Sequence, residues 1–114
     1  MFYSANHYRS VDYAVGYAVA NSPVGPWVKH DRSPILHRSI VGENGPGHGD
    51  VFRGPEGKLF YVYHVHHSDA AVNPRRTRIV QLVLTWKESC DRYDIAVDAT
   101  SIIKPLASSE AAAR

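Results

Sequence analysis

Residues 59–65 read LFYVYHV, and this run constrains the fold more than any other. Its aromatic and β-branched residues suit an extended chain, and a glycine-rich stretch precedes it. Side chains of a strand alternate, so Tyr61, Tyr63 and Val65 share one face while Phe60, Val62 and His64 share the other. Both sets are essentially apolar, whereas a sheet with one wet face carries polar residues at every second position. The strand therefore needs cover on both sides. A chain of 114 residues can supply it, because a domain of this size buries roughly two thirds of the surface its unfolded form exposes.

Other segments repeat the extended pattern. DYAVGYAVA alternates with period two, placing Tyr13, Val15, Tyr17 and Val19 on a bulky face and Ala14, Gly16, Ala18 and Ala20 on a nearly flat one. The flat face is a surface for close packing. NSPVGPW sets two prolines and a glycine within five residues, which forces a turn before Trp27 restarts an extended segment. Pro34 limits the next piece to an edge or a short strand. GENGPGHGD reads as a glycine-rich loop, and DVFR and KLFYVYHVHH flank Gly54-Pro55-Glu56-Gly57 as a hairpin. RIVQLVLTW is a further strand, with Val80, Leu82, Leu84 and Trp86 on one face, and YDIAV and SIIKPL are shorter ones. Residues 107–114, ASSEAAAR, read as a frayed tail. The count is eight or nine short strands and no helix, in two clusters that each finish near a tryptophan, Trp27 and Trp86. An all-β partial propeller of about two four-stranded antiparallel blades accommodates this, with blades over residues 1–40 and 41–106.

Charge narrows the partners. Thirteen Lys and Arg against eleven Asp and Glu, scattered along the chain, leave no footprint for nucleic acid or an anionic membrane, so neither is expected as a partner. No apolar run approaches the roughly 20 residues that span a bilayer, and MFYSANHYRS lacks the apolar core of a signal peptide. Cys90 is the single cysteine, which excludes an internal disulfide and a Cys-rich zinc site. No localisation follows from these features.

FYSANHYRSVDYAVGYAVANSPVGPW, GPGHGDVFRGPEGKLFYVYHVHHSD and NPRRTRIVQLVLTW, in that order, resemble the later part of a family 43 glycoside hydrolase. That family is a five-bladed β-propeller acting on arabinan, xylan and related plant polysaccharides. The resemblance covers residues 1 to about 86 and rests on the YAVGYA strand, the SPxGPW turn, the GPGHG loop and the YHxHxS strand end. It implies an inverting hydrolase, which needs a carboxylic acid and a carboxylate about 6.5 to 9.5 Å apart. In the family the base, a tuning aspartate and the acid all come from segments before the strand that here begins MFYSAN. The expectation is a truncated hydrolase with part of the sugar site, no catalytic carboxylates of its own and no activity alone. A non-catalytic carbohydrate-binding or assembly module is the alternative.

The same resemblance nominates site residues. His48, in GPGHG, is expected near the channel axis beside the sugar, where a calcium ion is often found; calcium prefers oxygen ligands, so contact from His48 would run through water. Either Arg75 or Arg76 is expected to reach the sugar, since a guanidinium donates paired hydrogen bonds. His64 is expected near the channel mouth as well. From the residues alone two further readings stay open. His64 and His66 share a strand face and with His48 would make a three-imidazole zinc site, the basis of a histidine metal enzyme, or they are neutral rings bonded to backbone. Asp50 is a base beside His48 or a cap at a strand start. Glu43 and Glu56 read as solvated loop charges, Asp12 and Asp69 as turn formers, and Tyr3, Tyr8, Tyr13 and Tyr17 as sugar platforms or core. Two blades with open faces and edges also predict a homo-oligomer, a dimer in the simplest case.

Overall fold

A computed structural model describes residues 1–90 and 92–105; the tail expected at 107–114 lies outside the described residues. Its regular structure is almost entirely two antiparallel sheets. The first has the order β1 (Phe2–Ala5), β2 (Ala14–Val19), β3 (Val28–Lys29), and the second β4 (Gly47–Arg53), β5 (Leu59–Val65), β6 (Arg76–Lys87), β7 (Arg92–Ile103). These are two meanders lying side by side, with no closed barrel, as expected for adjacent blades of a propeller. The first blade holds three strands where four were expected. Prolines at 23, 26 and 34 explain this: after the two-residue β3 the chain touches the sheet again only as a bridge between Val15 and Leu36.

The hairpin read from the sequence forms as expected. Val51, Phe52 and Arg53 pair with Tyr61, Phe60 and Leu59 around a tight turn at Pro55–Gly57. Further on, YDIAV and the start of SIIKPL merge into one strand, β7, which pairs with β6 from Ile79 to Lys87 across a register shift between Ile79 and Gln81. The shift supplies the break in pattern that made one strand look like two. One turn of helix, α1 (Arg38–Val41), stands where none was expected. His37 caps it by accepting from the Ser39 N–H, and Gly42, at φ 77°, closes it with its N–H donating to the Arg38 carbonyl.

The bulky face of β2 and one face of the second blade make the core. Val15, Tyr17, Ile35 and Leu36 meet Tyr61, Tyr63, Val65, Val80 and Leu82, all buried. Each such side chain contributes about 1.5 to 3 kcal/mol on leaving water. Phe2 of β1 joins them, its ring centroid 5.3 Å from Tyr61 and 6.3 Å from Tyr17. Farther along the interface, Tyr17 Oη accepts from the Ile95 N–H at 3.0 Å, and His30, stacked on Tyr17, sits 2.9 Å from Asp94 Oδ1. That last contact has ion-pair distance without an aligned N–H donor. The flat face of β2 is filled by its own neighbours: a side chain at Gly16 would strike the Tyr3 hydroxyl and Ser33.

The core stops partway along β6. On one face Arg78, Val80 and Leu82 are buried, yet Leu84 and Trp86 are exposed. The opposite face of the second blade, with Phe52, Val83 and Ile103 exposed and Phe60 and Val62 half-buried, has nothing packed on it among the described residues.

Candidate functional site

Both blades turn their first strands toward each other, β1 against β4. At that seam Gly47 pairs with His64 and Asp50 with Val62, so two residues of β4, His48 and Gly49, stand opposite Tyr63 alone. This is a β-bulge, which bends a strand and re-aims its side chains. His48 adopts φ 53°, a left-handed conformation costly for a residue with a Cβ. Its N–H donates to Ser4 Oγ on β1 at 3.0 Å, which fastens the bulge to the neighbouring blade. Gly49 is required here, because a Cβ at this point would collide with the Val62 carbonyl.

The loop ahead of the bulge is tied at several points. Arg78 donates from Nε to Glu43 Oε1 at 2.8 Å and from Nη2 to Glu43 Oε2 at 3.0 Å, a two-pronged pair with the arginine side chain only 8 % exposed. Glu43 is thus an anchor, not the solvated loop charge that its glycine-flanked position suggested. The Gly45 N–H donates to the Val11 carbonyl, the His66 N–H donates to the Asn44 carbonyl, and Asn44 Nδ2 donates to Asp69. These bonds hold residues 43–46 between the blades and present His48 at their junction.

The result is a pocket of about 290 Å³ lined by His48, Gly49, Asp50, Val62, Tyr63 and His64. The His48 and His64 ring centroids are 5.9 Å apart. His64 Nδ1 is buried and has no hydrogen-bond partner within the protein. Burial first, then Arg75 and then His48, hold the His64 pKa below its ordinary value, so the ring is neutral at pH 7. A neutral imidazole with an unsatisfied nitrogen is a ready partner for a hydroxyl group.

The ends of the strands decide which expected residues join His64. Arg75 stands just ahead of β6, where alternation no longer fixes its side, and its charge reaches the His64 ring. Arg76 pairs with Val65 instead, and its Nε donates to the His67 carbonyl at 3.0 Å. Of the two arginines, Arg75 is the one beside the site. His66 does not share it either. The strand ends at Val65, and His66 turns inward, its Nε2 2.9 Å from the Tyr8 carbonyl and its ring against Gly45. His67 bonds the Pro74 carbonyl through Nδ1. Two-residue spacing placed His64 and His66 together only while the strand was assumed to continue. The zinc trio therefore does not assemble, and among the described residues no three His, Cys, Asp or Glu side chains come together to hold a metal ion. For calcium the donors this chain offers at His48 are two imidazoles and one carboxylate. That set does not by itself fit an ion taking six to eight oxygens.

Asp50 accepts from the Val51 N–H at 2.8 Å, which is the capping arrangement weighed against a role as base. The four tyrosines divide. Tyr17 is core, Tyr13 lies against Gly47, Tyr3 lies against Gly16, and Tyr8 stands exposed with the Arg9 and Arg75 guanidiniums over its ring at 5.6 and 5.5 Å. Ser4, Arg78 and Arg9 are not among the residues the sequence nominates, and Glu43 is nominated only as a loop charge. Only Arg9, next to a candidate aromatic, carried a local signal; the others matter through partners at least 35 residues away.

Comparison with known proteins bears on these residues as a set. Residues 1–89 match the model of glycosyl hydrolases family 43. Among solved structures, an endo-1,4-beta-xylanase from Bacteroides thetaiotaomicron VPI-5482 is similar at 35 % identity with a TM-score of 0.77, covering 91 % of this chain and 34 % of that one. A thermostable family-43 glycoside hydrolase is similar at 40 % identity with a TM-score of 0.71, covering 86 % of this chain and 30 % of that one. The chain thus spans about a third of the length of these structures. No curated protein matches it.

Proposed function

The chain belongs to glycosyl hydrolase family 43, and from that premise we propose that its two blades form the part of a propeller that binds a xylose- or arabinose-containing glycan without cleaving it unaided. The observation that carries this reading is the pocket between the β4 bulge and β5, lined by His48 and His64, with Arg75 close enough to act on the His64 ring and a buried imidazole nitrogen that has no partner among the described residues. A neutral His64 orients a sugar hydroxyl. Arg75 donates to a second oxygen, and His48, fixed by Ser4 and the bulge, bounds the pocket on the axial side.

Hydrolysis with inversion requires a proton donor and a separate base. Asp50 is the one carboxylate lining this pocket, and it is turned onto its own strand. Glu43 is held by Arg78, Asp12 by Arg38, and Asp94 by Arg32. In this reading the acid and base belong to other segments of a complete propeller, and a second copy of the chain covers the apolar face carrying Phe52, Val83 and Ile103.

Calorimetric titration with xylotetraose and arabinotetraose, alongside an assay on nitrophenyl xyloside and arabinoside, tests the reading. Binding of one oligosaccharide with no turnover is expected. Absence of binding to either, or robust turnover by this chain alone, contradicts it. Light scattering is expected to return a dimer, and a clean monomer contradicts that part.

A further inference from the structure

Most of the arginines in this protein have assigned work. Arg32, Arg38, Arg78 and Arg92 each lie within ion-pair reach of a carboxylate, while Arg53 and Arg76 donate to backbone carbonyls. Arg9 and Arg75 differ. Among the described residues neither meets a carboxylate, and both guanidiniums sit over one ring, that of Tyr8. Arg9 spends only Nε, donating to Tyr8 Oη at 3.0 Å, which leaves its terminal nitrogens open. Among the described residues the Arg75 guanidinium has no hydrogen-bond acceptor. Two cations gathered on one exposed aromatic repel each other, and cation–π attraction of about 0.5 to 1 kcal/mol each at an exposed ring does little to neutralise them. An anion placed between them would.

This array adjoins the pocket. The charge of Arg75 reaches His64, the Tyr8 carbonyl is fixed by His66, and His7 stacks on Tyr8 at 4.7 Å. The pocket lining carries a single carboxylate, Asp50, while the array beside it is cationic and aromatic. A sugar docked beside Tyr8 would bring a carboxylate attached to its ring within reach of the guanidiniums, which donate two-pronged hydrogen bonds. We infer that Arg9, Arg75 and Tyr8 form a subsite for an acidic sugar, so that the glycan recognised is one carrying uronic acid residues on a neutral backbone. The inference rests on the sugar-binding reading of the adjoining pocket and adds the charge of the ligand.

Calorimetry on the full chain with xylotetraose and with the same backbone bearing one glucuronic acid branch tests it, at 50 and 500 mM NaCl. The acidic oligosaccharide is expected to bind about tenfold more tightly at low salt, with the preference falling toward onefold at high salt and in Arg9→Gln and Arg75→Gln at either salt. Melting temperatures of the variants verify that they fold, and the salt series on the unaltered chain stands without them. Equal binding of the two ligands overturns the acidic subsite while leaving sugar binding intact. No binding of either overturns both. A preference that survives both substitutions and high salt overturns the assignment to these arginines.

Discussion

The two faces of β5 are built from adjacent residues and carry different burdens. Inward, Tyr61, Tyr63 and Val65 are almost fully buried and join the blades through a shared core. Outward, Phe60, Val62 and His64 are half-buried, and the polar member of that face lines the pocket and keeps one buried nitrogen unpartnered. Alternation along a single strand thus separates what stabilises the protein from what is available to a ligand. Apolar character alone does not distinguish the faces; the difference lies in what each packs against.

The comparison can be broken from the inward side first. Tyr63→Ala removes a ring at the centre of the core and is expected to lower the unfolding free energy by about 4 kcal/mol in chemical denaturation. A loss below about 1 kcal/mol would mean that this face is not the core. Next, Arg78→Ala strands the partly buried Glu43 carboxylate and is expected to cost about 3 kcal/mol. It should also disorder the His48 bulge, visible as a shift of the His48 ring resonances. Alkali probes the same face without mutation. Burial, aided by Asp50 at Tyr61 and by Glu43 at Tyr63, pushes both phenols up to about 12. The folded protein then keeps protons that the unfolded chain releases near pH 10, so stability is full below pH 10 and falls as pH rises toward 12, by roughly 2 kcal/mol per ring. Constant stability across that range would contradict it.

The smallest expected effect on stability sharpens the contrast. His64→Gln on the outward face should change the unfolding free energy by no more than about 0.5 kcal/mol yet weaken oligosaccharide binding about tenfold. Because the His64 pKa is lowered, the unfolded chain binds its proton first as pH drops through the ordinary histidine range near 6.5. Stability and sugar affinity attributable to His64 are therefore present at neutral pH and decline below it. A loss of stability as large as that of Tyr63→Ala would erase the distinction between the faces.

Much of this was legible in residue order. The alternation of DYAVGYAVA placed β2 and its bulky inward face, LFYVYHV placed β5 without showing which of its two apolar faces turns inward, and Gly54-Pro55-Glu56-Gly57 placed the hairpin. The resemblance to the hydrolase family agreed with the match over residues 1–89. What residue order could not convey was pairing between distant segments. Glu43 looks solvated until Arg78 is folded 35 residues back onto it. Choosing Arg75 over Arg76 needs the fold that sends the Arg76 guanidinium to the His67 carbonyl, and separating His66 from His64 needs the strand to end at Val65. The long β7 was hidden by its register shift, and the three-strand first blade by prolines whose reach depends on where the chain returns.

Titration of ¹³C-labelled histidine by NMR with xylotetraose examines the pocket residue by residue. The predicted result is a saturable shift of the His48 and His64 ring resonances, with His30 and His66 unmoved and no reducing sugar released. Shifts confined to other histidines, or sugar cleaved in the tube, would contradict the claim that this seam binds a glycan and leaves it whole.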